Sequence, residues 1–122
     1  MRYFLDTYSI IEIFLGNENY KDYTFDKEQA ICTIFNLVEA HFYFLKNYGG
    51  EKADQIYELI KPIVIDIEDS FLRQANTFKI LHLKKRFSFA DCIGYITALN
   101  LNAKFITGDY AFKDFENVDF IK

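Results

Sequence analysis

Short apolar runs alternate along this chain with stretches in which apolar residues return every third or fourth position. A brief apolar run bounded by turn residues marks a buried strand, and the wider spacing marks a helix with one buried face. Tyr3-Phe4-Leu5 is the first such run and stops at Asp6. Ser9-Ile10-Ile11-Glu12 then has the form of a capping box, opening a helix that contains Ile13, Phe14 and Leu15. Asn17 to Glu28 is polar and turn-rich apart from its Tyr and Phe residues. Ala30-Ile31-Cys32-Thr33-Ile34 has the β-branched content of a second strand. Asn36-Leu37-Val38-Glu39 follows and leads a long apolar helix through Leu45, ended by Asn47 to Gly50.

Glu51 to Ile60 carries Ala53, Ile56, Tyr57 and Ile60 on one helical side and is closed by Pro62. Ile63-Val64-Ile65 is a third strand candidate, and residues 68–82 place Phe71, Leu72, Ala75, Phe78 and Leu81 at helical spacing. Another helix opens near Ser88, with Phe89, Cys92, Ile93, Ile96 and Leu99 as its buried stripe and Asp91 outside it. Phe105-Ile106-Thr107 is a fourth strand ending in Gly108-Asp109, and Val118-Asp119-Phe120-Ile121 closes the sheet as a fifth. Strands alternating with helices over connections of about a dozen or more residues imply parallel pairing, with the sheet covered on both faces. The expectation is one α/β domain over residues 1–122, a central five-stranded parallel sheet flanked by helices.

Composition supports a packed core, since 51% of residues are hydrophobic and 19% aromatic. A formal net charge of -4 argues against holding nucleic acid by broad charge attraction. Cys32 and Cys92 form no CxxC pair, and no leader or long apolar span is visible, so a reducing, cytoplasmic setting away from membranes is expected. With His41 and His82 as the only histidines, zinc-cluster spacing is absent.

In a parallel sheet all strand carboxyl ends share one edge, which puts Asp6 and Asp109 on one rim. Asp91 and Glu39 each lie about a turn into helices that start at that rim. Singly, such acids cap helices or turns, and both Asn36-x-x-Glu39 and Ser88-x-x-Asp91 have that form. Together they raise a different problem, because unit charges about 4 Å apart repel by roughly 4 kcal/mol at an effective dielectric near 20. A hard divalent cation, Mg²⁺ or Mn²⁺, is the natural compensation and would equip an acidic protein to hydrolyse a phosphodiester. Lys84, Lys85 and Arg86 read either as a solvated charge run or as a phosphate-contact patch, with Arg73 and Lys79 on the preceding helix. Thr7 and Thr107 flank two of the acids and are candidates for positioning them or the attacking water.

These motifs resemble the PIN domains, in particular the small VapC-like toxin nucleases of prokaryotic toxin–antitoxin modules. The residues that carry the resemblance are Tyr3-Phe4-Leu5-Asp6-Thr7, Glu39, Ser88-Phe89-Ala90-Asp91 and Phe105-Ile106-Thr107-Gly108-Asp109. The resemblance implies a Mg²⁺- or Mn²⁺-dependent endoribonuclease whose acidic quartet is Asp6, Glu39, Asp91 and Asp109, with Thr107 as a hydroxyl neighbour. It also implies homodimers and a cognate antitoxin peptide lying across the site. Some relatives carry a further acid shortly after the fourth; here Tyr110, Ala111 and Phe112 are not acidic, and Asp114 reads either as a metal-site helper or as a surface residue. Two alternatives stand beside the toxin nuclease: a non-catalytic protein- or RNA-binding module of the same fold, and a housekeeping PIN nuclease without an antitoxin.

Overall fold

The computed structural model describes residues 2–122. Strand β1 (Tyr3–Leu5) leads into helix α1 (Thr7–Phe14), then β2 (Ala30–Ile31), α2 (Ile34–Tyr48), α3 (Gly50–Ile60), α4 (Asp69–Leu81), α5 (Phe89–Asn100), β3 (Lys104–Thr107) and β4 (Val118–Phe120), with short 3-10 turns between several of them. The strands form one sheet in the order β2-β1-β3-β4, every pair parallel, with Phe4 opposite both Ile31 and Phe105 and with Phe105 opposite Val118. Phe4, Leu5, Phe105 and Ile106 are fully buried, as strands covered on both faces must be.

Helix α5 runs almost entirely inside the molecule, with Ala90 and every residue from Cys92 to Ala98 buried. Its closest approach to the sheet is at Gly94, where an added Cβ would lie 2.8 Å from the Phe4 ring. Helices α4 and α5 pack as one pair and α2 and α3 as another.

Among the described residues the sheet has four strands, not five. Ile63–Ile65, the third strand candidate, lies beside the second strand but contributes only one parallel bridge, Cys32 to Val64, fastened by Cys32 N–H to Ile63 O and Ile65 N–H to Cys32 O, both 2.9 Å. Pairing is cut short on both sides: Pro62 folds Lys61–Ile63 into a 3-10 turn, and Thr33 leaves the second strand to start α2. Two helix starts also differ from expectation. Asp6, not Ser9, caps α1, its carboxylate accepting from Ser9 N–H at 2.8 Å. Thr33, not Asn36, precedes α2, so Glu39 stands in the second turn and Asn36-x-x-Glu39 is not a capping box. Phe89 and Leu81, assigned to buried stripes, are exposed at helix ends beyond the packed pair.

Candidate active site

Asp6 enters the site from the end of β1, where its N–H still reaches Ile106 O at 3.3 Å. The same residue turns the chain into α1, so its carboxylate is held at a strand end and a helix start at once. It is 4% exposed. Burial pushes its pKa up to about 7, Asp91's charge adding to the rise and hydrogen bonds from Thr107 and Ser9 opposing it.

Glu39 is half-buried on α2 and tied to α1 by the Thr7 hydroxyl, which donates to its Oε1 at 2.6 Å. Thr7 in turn accepts from Asn36 Nδ2 at 3.2 Å, and Asn36 Oδ1 takes the Thr33 N–H at 2.9 Å and the Thr33 hydroxyl at 3.0 Å. This buried relay fixes the starts of α1 and α2 relative to each other. Burial raises the Glu39 pKa, the Thr7 bond works against it, and Asp91 adds to it.

Asp91 sits in the capping box expected of α5: Ser88 Oγ accepts from Asp91 N–H at 3.0 Å and Asp91 Oδ2 accepts from Ser88 N–H at 2.9 Å. Its pKa is raised by burial; the Ser88 bonds and the Lys79 ammonium pull it down, and Asp109 pushes it further up. Asp109 caps the 3-10 turn Tyr110–Phe112 through Ala111 N–H at 2.9 Å, and its own N–H donates to Thr107 Oγ1 at 3.0 Å. The turn lies tight against α1, since a Cβ on Gly108 would fall 2.1 Å from the Tyr8 ring.

The structure therefore brings Asp6, Glu39 and Asp109 within charge range of Asp91. Among the described residues none of them makes an ion pair within 4.0 Å. Equally, no three acid, histidine or cysteine side chains among the described residues converge closely enough to enclose a metal ion as they stand. Glu39, Asp91 and Asp109 each commit one carboxylate oxygen to the bonds above and keep the other for a further partner. Hard oxygen donors with spare oxygens and no cation suit Mg²⁺ or Mn²⁺ held through one or two carboxylates and water, the usual way Mg²⁺ is bound.

Lys84, Lys85 and Arg86 are exposed, and Lys85 lies 5.6 Å over the Phe115 ring. None of the three pairs with a site acid; Lys79 is the basic residue that acts on Asp91. Asp114 is an exposed surface residue. Asn36 and Lys122 were without sequence signal for what they do: Asn36 is the hub of the relay, and Lys122 Nζ donates to Gly108 O at 3.1 Å, beside Asp109. A groove of about 550 Å³ adjoins Glu39, lined by Ile34, Phe35, Val38, Phe89 and Ala90.

No known protein-family profile matches the chain, and no curated protein matches it. Among solved structures, a chain described as a toxin-antitoxin complex from Klebsiella pneumoniae matches with a TM-score of 0.71 and 15% identity, over 96% of this chain and 95% of that one. At that identity the likeness establishes a shared fold over nearly the whole chain. No helix among the described residues is long and apolar enough to cross a membrane.

Proposed function

We propose that this protein is a Mg²⁺- or Mn²⁺-dependent endoribonuclease and the toxin of a toxin–antitoxin pair. The observation that carries the enzymatic reading is the rim itself, where Asp91 lies within charge range of Asp6, Glu39 and Asp109 and, among the described residues, no basic side chain forms an ion pair with any of the four. Asp6, Asp91 and Asp109 would hold the ion, one or two of them directly and the rest through water, and Glu39, oriented by Thr7, would complete its shell or orient the attacking water. A bound ion supplies charge neutralisation toward phosphate and a hydroxide at neutral pH. The protein's own work is to keep four acids on one rim through a strand end, two helix starts and a 3-10 turn.

The toxin role is supported by the shared fold with a chain from a toxin-antitoxin complex. It is also supported by the apolar groove beside Glu39, which suits an antitoxin segment lying across the site. Homodimer formation belongs to the same reading: Phe42 and Tyr48 on α2 are exposed, although Phe44 between them is core.

One observation favours a second reading. Asp6, Asp91 and Asp109 all make capping bonds, which a non-catalytic binding module would also require. Incubating a defined RNA pool with wild type and Asp91→Asn, with and without Mn²⁺, separates the two. The nuclease cleaves only with metal, and the variant does not cleave although it melts near wild type. No cleavage by wild type together with no Mn²⁺-induced stabilisation leaves the binding module.

A further inference from the structure

Two exposed aromatic rings lie next to rim acids in the chain, and each has an ammonium group resting on it. Phe89, the first residue of α5 and two before Asp91, is 59% exposed, with Lys79 Nζ 4.9 Å from its centroid. Tyr110, directly after Asp109, is 62% exposed, with Lys122 Nζ 4.8 Å from its centroid. The two lysines are fixed in the same manner. Lys79 donates to the carbonyl of Phe87, and Lys122 to that of Gly108 while also lying 4.8 Å from the Tyr8 ring. Each ammonium has three protons, of which the carbonyl takes one.

Phe89 starts α5 and Tyr110 starts the 3-10 turn after Asp109, and although Tyr110 leans on Phe120 with centroids 5.0 Å apart, both rings stay more than half exposed, more than core packing requires. A ring with this much exposed surface beside a fixed ammonium complements what one nucleotide of a single strand presents, a base π-face beside a phosphate. A duplex keeps its bases stacked on one another and cannot use such a ring. Lys79 is within charge range of Asp91 and Lys122 is bonded beside Asp109, so each puts positive charge next to a rim acid.

We propose that Phe89 with Lys79 and Tyr110 with Lys122 are two nucleotide-binding platforms that seat single-stranded RNA across the rim, one base stacked on each ring. The inference rests on the nuclease reading for its choice of polymer, and it assigns the strand's binding residues, not the chemistry. Phosphate contacts from the two lysines make binding salt-dependent.

The test measures binding of a fluorescein-labelled single-stranded RNA and of the matching duplex by anisotropy, in the Asp91→Asn background with Mn²⁺ so that the strand survives. Phe89→Ala and Tyr110→Ala are each expected to weaken single-strand binding roughly tenfold. Phe89→Tyr and Tyr110→Phe, which keep a π-face, are expected to bind as the background does. Lys79→Gln is expected to lower the slope of log affinity against log salt by about one. Alanine variants that bind within twofold of the background, or a duplex bound as tightly as the single strand, overturn the inference. Thermal melts of each variant show whether a loss comes from unfolding, and the ring-preserving variants supply the comparison where it does. The nuclease reading is judged separately, by metal-dependent cleavage in the wild type. Ring-dependent binding without cleavage sinks that reading alone, and cleavage with ring-independent binding sinks this one alone.

Discussion

The Asp6 carboxylate is a group that the fold holds against its own charge. An acid whose folded pKa stands at about 7, above the ordinary 3.8, binds a proton in the native state that the unfolded chain has already lost. Stability therefore falls as pH rises from about 4 to about 7 and stays low above that. A shift of this size corresponds to something on the order of 4 kcal/mol, offset in part wherever a cation arrives. Asp6→Asn should accordingly raise the melting temperature of the metal-free protein at pH 8 while changing it little at pH 4.5, and should abolish cleavage. Urea midpoints at the two pH values check the first half. An Asn variant that melts lower than wild type at pH 8 contradicts it. The neighbouring relay behaves in the opposite sense: Asn36 is buried with its amide and carbonyl both engaged, so Asn36→Ala strands the Thr33 N–H and hydroxyl and should cost about 1–3 kcal/mol at any pH.

At the scale of elements, α5 shows what a sequence discloses and what it hides. The Ser88–Asp91 box was legible because a capping box is local, a pair of side chains and two backbone groups within one turn. Where capping depended on how the chain left a strand, the pattern misled: Ser9-x-x-Glu12 looks like a box, but Asp6 takes the cap because β1 ends one residue earlier. The third strand candidate failed for a similar reason. Its hydrophobicity was real and it does lie beside the second strand, but Pro62 on one side and the Thr33 turn on the other leave room for one bridge. Phe89 was misassigned because periodicity counts a residue as buried without knowing where the neighbouring helix stops. The order of the four acids along the chain was readable, since strand ends and helix starts in a parallel sheet share an edge. Their hydrogen-bond partners across the fold were not. Ser88→Ala removes the cap and should cost about 1 kcal/mol. It also loosens the turn that carries Asp91, whose carboxylate keeps only its bond from the backbone N–H at position 88, so cleavage should drop further than the loss of stability accounts for. Activity that tracks stability alone would show the box to be structural only. Gly94→Ala has no bearing on the rim, yet a Cβ 2.8 Å from the Phe4 ring should destabilise by about 1–3 kcal/mol through overpacking, measured as a shift in urea midpoint.

At the scale of the whole molecule, the features of the rim act as one linked equilibrium. On the nuclease reading, protons, cations and RNA would all respond to the same four carboxylates, so each would change the apparent affinity of the others. Mn²⁺ requires the acids ionised, whereas the fold pushes the pKa values of Asp6, Glu39 and Asp91 upward through burial. Metal and proton therefore compete, and metal binding releases protons. The stabilisation by Mn²⁺, which reaches about 2.7 kcal/mol when the ion stands at a hundred times its dissociation constant, should be larger at pH 8 than at pH 5.5 at fixed Mn²⁺. The metal-free protein has the reverse preference, so the two stability profiles should approach each other at acid pH and diverge on the alkaline side. Calorimetric melts across that range with and without Mn²⁺ measure this directly. In Asp6→Asn the divergence should shrink, because the acid with the largest proton affinity is gone. A Mn²⁺ effect that is the same at both pH values, or that survives unchanged in Asp6→Asn, would mean that the ion binds elsewhere and that the rim is held together by its caps alone.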